Sequence, residues 1–226
     1  MGRQAPETKR LSEETRMGRK KIAPEQRENI ALALIRCMTR TTYSDTSMQD
    51  ISKESGLSTG LIFYYFKSKE DILIEALQVS HKLFLSQVEQ WGEKCKALSP
   101  NLSFKDAMME YCRLYLGKNM LPSDQSPMNY WCKPYINFWS LGSYSPRAHE
   151  VILQNYQDTT NHLREILTAN HWTSIDPSFF VSFLFCVLDG AIIDESVFSE
   201  KDAPFDADRI IEALFDMHAS LSNAKQ

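Results

Sequence analysis

The sequence predicts an all-α protein whose N-terminal part contains a helix-turn-helix motif. Apolar residues recur at helical spacing along most of the 226 residues, and no segment has the strict alternation typical of a strand. Near position 56 a glycine separates two short segments that each begin with a serine suited to cap a helix. We therefore expect a three-helix domain at the N-terminus, followed by a second helical domain.

Residues 1–23 are polar and basic and contain few apolar side chains, so we expect a flexible basic arm. The tripeptide Met-Gly-Arg occurs at 1–3 and again at 17–19, which makes Met17 an alternative translation start. If the arm is part of the protein, the basic residues at 19–21 are candidates to contact DNA phosphates or a minor groove.

The next helix is predicted from Pro24, because proline suits the first helical position, and Ile30, Leu34 and Met38 line one of its faces. The residues expected to hold the two helices of the motif together are Ile51, Leu57, Ile62 and Phe66.

Serine caps mark the motif and the long helix after it. Ser47 and Ser68 each stand three residues before an aspartate, which is a capping box, and Ser58 caps the helix between them. Gly56 occupies the position where a left-handed residue ends a helix. The apolar side of the long helix comprises Ile72, Leu73, Ala76, Leu77, Ser80, Phe84, Val88 and Trp91.

Helical periodicity continues through the rest of the chain. The predicted segments are 104–115, 128–141, 146–169, 177–198 and 206–221. The most apolar run, 179–188, is about half as long as the ~20 residues of a membrane span, and Asp189 closes it, so we expect a buried helix and no membrane association.

Composition narrows the functional class. The five cysteines are scattered without a paired motif, so we expect neither a disulfide framework nor a zinc site, and a cytoplasmic location. The net charge of −4 conceals an asymmetry: residues 1–82 carry 14 basic against 11 acidic side chains (+3), and residues 83–226 carry 11 against 18 (−7). A basic N-terminal part favours contact with an anion such as nucleic acid.

The second helix of a helix-turn-helix motif enters the DNA major groove. Its first turn lies nearest the base edges, so Ser58, Thr59 and Gly60 are candidates to approach bases. Further candidates, which offer hydroxyls or charge to phosphates, are Tyr64, Tyr65, Lys67 and Lys69. The alternative is that the aromatic residues are core and the lysines an ordinary solvated face, and for Phe63 and Phe66 we favour the core.

The segment TSMQDISKESGLSTGLIFYYFKSKEDIL (46–73) resembles the DNA-binding motif of the TetR/AcrR family of bacterial transcriptional regulators. The resemblance implies phosphate contacts by Thr46, Ser47, Tyr65 and Lys69, and base contacts by Thr59, Gly60 and Tyr64. Phe63 stands where the family usually has a phosphate-binding tyrosine, so Tyr64 or Tyr65 would replace that contact.

The same resemblance implies a DNA-binding domain at 24–70 and a ligand-binding and dimerisation domain at 71–226. A homodimer would pair its last two long helices with those of its mate in a four-helix bundle. Family members of this kind are expected to be repressors that a small-molecule effector releases from a palindromic DNA operator.

The segments YINFWSLGSYSPRAHE (135–150) and LDGAIIDE (188–195) resemble the choline-responsive regulators of glycine-betaine synthesis within that family. The effector would then be a quaternary ammonium compound held in an aromatic cage, with Asp189 as a counter-charge. The candidate cage residues are Tyr111, Tyr115, Trp131, Tyr135, Phe138 and Trp139. Two alternatives stay open: these aromatic residues are core, or they line a pocket for a flat apolar compound.

The sequence leaves two other functional classes as alternatives. An enzyme is disfavoured because no glycine-rich phosphate loop, GxSxG, HExxH or paired-cysteine motif occurs. His162 and Glu165 share a helical face, but a solvated pair explains them better than a metal site, and no metal or cofactor is expected. A helical protein-interaction adaptor is the other alternative, and DNA binding distinguishes it from a regulator.

Overall fold

A computed structural model describes residues 7–98, 102–116, 127–170, 176–197 and 209–216, and these are helical apart from short connections. The helices are α1 (Glu7–Met38), α2 (Met48–Ser55), α3 (Thr59–Tyr65), α4 (Lys69–Leu98), α5 (Phe104–Tyr115), α6 (Pro127–Gly142), α7 (Pro146–Ala169), α8 (Pro177–Val197) and α9 (209–216). The all-α prediction is confirmed.

The chain forms two compact units, residues 1–79 and 80–226. The division falls inside α4, nine residues after the boundary at 70/71 that the sequence suggested. The first turns of α4 belong to the N-terminal unit because their apolar side is buried there: Ile72, Leu73 and Ala76 are at most 1% exposed.

The first helix begins at Glu7 instead of at Pro24, which lies inside it. Residues 7–23, predicted as a flexible arm, therefore have a helical backbone. Glutamate, lysine and arginine dominate this stretch, and these residues lose little side-chain freedom in a helix. The side chains of residues 7–22, including the basic cluster at 19–21, lie outside the described part of the structure.

Packing stabilises the short helices of the N-terminal unit. With eight and seven residues, α2 and α3 are too short to be stable alone in water, where isolated helices need roughly 12–15 residues. The predicted core is confirmed in this unit, since Ile30, Leu34, Met38, Ile51, Ile62 and Phe66 are buried. Full burial of an aliphatic or phenyl side chain contributes about 1.5–3 kcal/mol each. Leu57, predicted with them, is only partly buried.

The predicted helix ends are present. Ser47 and Asp50 form a reciprocal capping box at α2. The Ser58 hydroxyl accepts from the Leu61 N–H at α3, with 3.3 Å between the oxygen and the nitrogen. Gly56 ends α2 with φ of 72°, the left-handed conformation that glycine adopts without strain.

The C-terminal unit is built around an apolar and aromatic core. It includes Phe84, Val88 and Trp91 of α4, as predicted, and the Trp91 indole N–H donates to the Ala107 carbonyl across 3.1 Å. The other helices contribute Tyr111, Cys112, Tyr115, Leu163, Leu167, Phe180, Leu184, Phe185, Leu188, Ile192, Ile211 and Phe215.

Helix α8 has two apolar faces in different surroundings. One faces the core through Phe180, Leu184 and Leu188, so the expectation of a buried helix is right for that face only. The other is exposed and consists of Phe179, Phe183, Cys186, Gly190, Ile193 and Val197. The window 177–194 is long and apolar enough, by length and composition alone, to cross a membrane. Its division into a core face and an exposed face is also typical of a helix that associates with another protein surface.

We predict that Gly56→Ala destabilises the protein by about 1–2 kcal/mol, because a Cβ strains the left-handed conformation. Gly60→Ala is the matched control: Gly60 is helical, and a Cβ at either glycine meets no atom within 4 Å, so crowding does not distinguish them. Urea denaturation should show a loss for Gly56→Ala and none for Gly60→Ala. Equal effects would contradict this account of the turn.

Candidate DNA-binding surface and effector site

Helix α3 is buried on one face and exposed on the rest of its surface. Ile62 and Phe66 face the core, four residues apart. Tyr64 is 78% exposed and Phe63 is 53% exposed, so the favoured assignment of Phe63 to the core is wrong. A seven-residue helix has room for a single buried stripe at i and i+4, and position 63 lies off that stripe.

The predicted contact residues on α3 lie mostly on its outer side. Ser58, Gly60 and Lys67 are exposed, while Thr59 and Tyr65 are half-buried. The rings of Tyr64 and Tyr65 meet edge to face with their centroids 5.2 Å apart. The helix therefore presents hydroxyls, a glycine and aromatic edges together.

Two predicted phosphate contacts before α2 are placed differently from expectation. Thr46 is buried, and its hydroxyl donates to the Thr42 carbonyl across 2.9 Å, so it holds the loop instead of facing a ligand. Ser47 is exposed, but its N–H and its hydroxyl both donate to the Asp50 carboxylate, at 2.8 and 2.6 Å. A phosphate at this helix end would meet a carboxylate.

Lys69 is engaged inside the N-terminal unit. Its ammonium donates to the carbonyls of Tyr43, Ser44 and Thr46 at 2.8, 3.4 and 2.9 Å, and lies 4.3 Å from the centroid of the Tyr43 ring. Burial lowers the pKa of this ammonium, and the charge of Asp45 opposes the shift. An ammonium has three N–H donors, and three carbonyls account for them. Lys69 thus fastens the loop before α2 to the start of α4.

Arg27 holds the C-terminal end of α3. Its Nη1 donates to the Tyr65 carbonyl across 2.8 Å, its Nε donates to the Glu75 carboxylate across 3.1 Å, and its guanidinium lies 4.2 Å from the Phe66 ring centroid. A second contact joins Nη2 to the same Glu75 oxygen. We did not select Arg27 from the sequence, although its position three residues before Ile30 places a cation beside the apolar face of α1.

Three further hydrogen bonds join α1 and the residues just after it to α2. The Asn29 amide donates to the Ser55 carbonyl across 3.1 Å at the end of α2. Glu54 accepts from Arg36 at 2.8 Å and from Arg40 at 2.5 Å. Burial raises the pKa of Glu54, but hydrogen bonds from the two arginines outweigh it and hold the pKa below its usual value.

A second cluster of polar residues lies in the C-terminal unit. The Tyr115 and Tyr135 hydroxyls lie 2.7 and 2.8 Å from Oδ1 of Asp189, and 2.6 Å from each other. Tyr115 is buried, whereas Tyr135 and Asp189 are half-buried. Burial raises the pKa of Asp189, and the two phenol hydrogen bonds act in the opposite direction. Three helices, α5, α6 and α8, each supply one of these groups.

Aromatic rings surround this acid. Tyr115 contacts Phe185 with ring centroids 4.9 Å apart, Phe185 contacts Tyr156 at 5.4 Å, and Tyr156 contacts Trp139 at 6.3 Å. Trp139 also contacts Tyr135 at 6.0 Å, which closes a ring of contacts. Trp139 is 43% exposed, so the aromatic group extends from the core to the surface.

Comparison with known proteins identifies the N-terminal unit. Residues 31–76, which cover the end of α1 (31–38), both helices of the motif and the start of α4, match the model of the bacterial regulatory proteins of the tetR family. The N-terminal unit therefore contains the DNA-binding domain of TetR-family transcriptional regulators. This agrees with the DNA-binding role that the residues of α3 suggest.

Relatives and solved structures agree with this family. The HTH-type transcriptional regulator YwcC of Bacillus subtilis is 26% identical over 72% of each chain. YerO of the same organism is 24% identical over 48% of this chain, and the match spans 41% of its own length. A transcriptional regulator from Saccharomonospora viridis, solved in complex with choline, has a TM-score of 0.65 at 20% identity and covers 85% of this chain and 95% of its own. A Rhodococcus regulator has a TM-score of 0.69 at 15% identity, with 86% and 96% covered.

In the C-terminal unit, the structure groups only some of the predicted effector residues. Tyr115, Tyr135, Trp139 and Asp189 lie together, while Phe138 is buried on α6 and the Trp131 side chain lies outside the described part. Tyr156 and Phe185 belong to the group but were not selected. Phe185 could have been found, because it precedes Asp189 by one helical turn.

The Tyr111 hydroxyl differs from those of Tyr115 and Tyr135 in its hydrogen bonding. It is fully buried, and its hydroxyl has no hydrogen-bond partner in the described part of the structure. Its phenol is near enough to Tyr135 for the two groups to interact electrostatically, and burial raises the pKa of Tyr111 well above its usual value. A buried hydroxyl without a partner is unfavourable by about 1–3 kcal/mol, and it marks a point where a bound polar group would be stabilised.

The remaining sequence candidate is the pair His162 and Glu165. Glu165 is exposed and His162 is half-buried. Among the residues that the structure describes, no group of three His, Cys, Asp or Glu side chains is arranged to hold a metal ion.

The contrast between Lys67 and Lys69 gives a prediction. Lys69→Met should destabilise the protein by about 1–3 kcal/mol, because the part-buried contacts to the carbonyls of Tyr43 and Thr46 lose their donor. Lys67 is exposed, so Lys67→Met should leave stability unchanged. Because one phosphate contact is lost, the slope of log DNA affinity against log salt concentration should become shallower by about one. Urea denaturation and fluorescence anisotropy at several salt concentrations measure the two effects. The assignment is wrong if Lys69→Met unfolds like wild type.

Proposed function

We propose that this regulator binds a palindromic DNA operator as a homodimer and is released from it by a small cationic effector, which makes it a repressor acting in the cytoplasm. The observation that carries the DNA-binding part is the fixed position of α3. Its core side is buried through Ile62 and Phe66, its C-terminal carbonyl is held by Arg27, and its outer side carries the candidate contacts.

The outer side of α3 suits direct contact with bases. Thr59 offers a hydroxyl and a methyl group in the first turn, and Gly60 allows close approach because no atom occupies the space of its missing Cβ. Tyr64 and Phe63 extend from the middle of the helix toward solvent. We assign phosphate contacts to Ser58, Tyr65 and Lys67, in place of Thr46 and Lys69.

The exposed face of α8 supports a homodimer. Its residues repeat at spacings of four and three, which is the pattern of a helix seam: Phe179, Phe183, Cys186, Gly190, Ile193 and Val197. Gly190 and Cys186 are small and permit close approach of a second helix. Ile193 and Val197 are 55% and 68% exposed, and burial of such a face against a second copy removes apolar surface from water.

An effector signal has a continuous path along the chain. Helix α4 runs unbroken from Lys69 to Leu98, so it begins in the DNA-binding unit and ends in the core of the effector-binding unit. Near its start, Lys69 holds the loop before α2, and Glu75 holds Arg27. A displacement of α4 would therefore move α3. The effector must bind the two states with different affinity for this to occur.

The DNA-binding proposal predicts the outcome of selection from random DNA duplexes. The protein should enrich a palindrome with half-sites about one helical turn apart, roughly 34–36 Å. Ile193→Lys should give a monomer by analytical ultracentrifugation and lose this binding, because a charge disrupts the α8 face. Leu153→Lys on α7 is the control, since Leu153 is an exposed apolar residue outside that face. No enrichment with intact dimers would favour the protein-interaction adaptor instead.

The effector proposal starts from the carboxyl group of Asp189, which can carry a negative charge beside a bound cation. Its described neighbours are phenols and aromatic rings, and no basic side chain pairs with it in the described part of the structure. An unpaired acid beside electron-rich rings suits a cation. The structural neighbour from Saccharomonospora viridis was solved with choline, which is consistent with a quaternary ammonium effector here. The unpartnered Tyr111 hydroxyl would suit a hydroxyl group on such a ligand.

Choline should raise the thermal unfolding midpoint, and its uncharged isostere 3,3-dimethylbutanol should not, because only the cation gains from Asp189 and the rings. Trp139→Leu should reduce the shift by lowering affinity about 5–30-fold, which corresponds to ~1–2 kcal/mol. Tyr144→Leu, at an aromatic residue that is 83% exposed, is the control. Equal shifts with both compounds, or shifts only with flat apolar compounds, would remove the cationic effector class.

A further inference from the structure

Three oxygen atoms in the effector site lie in mutual hydrogen-bond contact: Oδ1 of Asp189 and the hydroxyls of Tyr115 and Tyr135, separated by 2.6, 2.7 and 2.8 Å. Each contact of this length requires a proton between its two oxygens. A phenol carries one O–H, so the two tyrosines supply two protons for three contacts. A carboxylic acid proton on Asp189 supplies the third.

We propose that Asp189 holds a proton in the empty effector site and that a cationic effector expels this proton when it binds. The inference rests on the proposed function, since it deepens the chemistry of the same site. The effector class is then a cation whose binding is exchanged for one proton, and affinity depends on pH even though the ligand itself does not titrate.

The surroundings of Asp189 favour the protonated acid before the ligand arrives. The titratable groups that face it are Tyr115 on α5, Tyr135 on α6 and Tyr156 on α7, all of which are neutral phenols near neutral pH. Cys186 lies one turn earlier on α8, and Phe185 packs against Tyr115 and Tyr156. No described cation offsets the burial of a carboxylate there, and burial raises the pKa of Asp189.

A bound cation reverses this balance. A positive charge near the carboxylate stabilises its ionised form, so the pKa falls and the proton leaves to solvent. The two phenols can then both donate to the carboxylate, and the contact between Tyr115 and Tyr135 loses its proton and should lengthen. This coupling between proton and cation is reciprocal. A proton on Asp189 lowers the affinity of the site for the cation, and a bound cation lowers the affinity of Asp189 for the proton by the same factor.

The sign of the pH dependence follows. Below the pKa of the empty site, binding releases up to one proton, and affinity falls by up to about tenfold for each unit by which pH is lowered. Above that pKa the carboxylate is already ionised, so affinity becomes independent of pH. Because the pKa of Asp189 is raised on folding, its contribution to the stability of the empty protein is present at acidic pH and is lost as pH rises through the raised pKa.

Isothermal titration with choline tests the proposal. Titrations at each pH from about 5 to 8, in two buffers of different ionisation enthalpy, count the protons released. We expect release approaching one proton at the acidic end and falling toward zero as pH rises, with affinity rising over the same range. Asp189→Asn, which retains a neutral polar group, should bind choline weakly and without proton release. Tyr156→Phe retains the acid and should still release the proton.

The outcomes separate the inference from the proposed function. Choline binding by the wild-type protein without proton release, at an affinity constant over this pH range, overturns the proton exchange and leaves the cationic effector site standing. No choline binding overturns both. An infrared difference spectrum between the empty wild-type protein and the Asp189→Asn variant shows whether Asp189 carries the proton. A carboxylic acid band that is present at acidic pH and absent from the variant supports Asp189, and its absence from both overturns the inference.

Discussion

The contacts of Arg27 at the end of helix α3 are the interaction on which the position of that helix depends. Seven residues do not form a stable helix in water, so α3 exists because its surroundings hold it. Two buried side chains fix its core side, but apolar contacts alone permit small rotations. The Arg27 guanidinium adds direction, because its planar donors reach the terminal carbonyl at Tyr65 and the Glu75 carboxylate together.

Some basic residues of the N-terminal unit hold its helices and loops in place, and others are exposed to solvent. Arg27 donates to the carbonyl that ends α3, Lys69 donates to carbonyls of the loop before α2, and both residues connect these parts to α4. A positive charge at such a carbonyl also complements the negative end of a helix dipole where the carbonyl ends a helix, as at Tyr65. Among the described lysines of the motif, Lys53 on α2 and Lys67 just after α3 are exposed. In the proposed DNA complex, hydroxyls, helix-end amides and the fit of α3 supplement these two cations.

Interactions between residues close together in the chain were predictable from the sequence, whereas contacts between residues far apart in the chain were not. The serine caps, the left-handed Gly56 and the buried faces of α1 and α4 follow from spacings of three and four residues, and the structure contains them. The sequence shows the charge of Lys69, which favours a contact with DNA phosphate. It does not show the carbonyls, 23–26 residues away, that accept hydrogen bonds from this ammonium. The Asp189 group was predicted in part, since Tyr156 joins it only through the packing of α7 beside α8.

Phe63 and the exposed face of α8 show the same physical limit. Helical periodicity locates apolar residues on faces, but it does not say which of two apolar faces meets the core. Phe63 lies beside the buried stripe of α3 and points toward solvent, while α8 buries one stripe and leaves another exposed. In both places apolar surface remains exposed on an element that packing has fixed in position. Exposure of apolar surface to water is unfavourable, and the proposed function gives each of these surfaces a partner: bases and sugars for α3, and a second copy of the chain for α8.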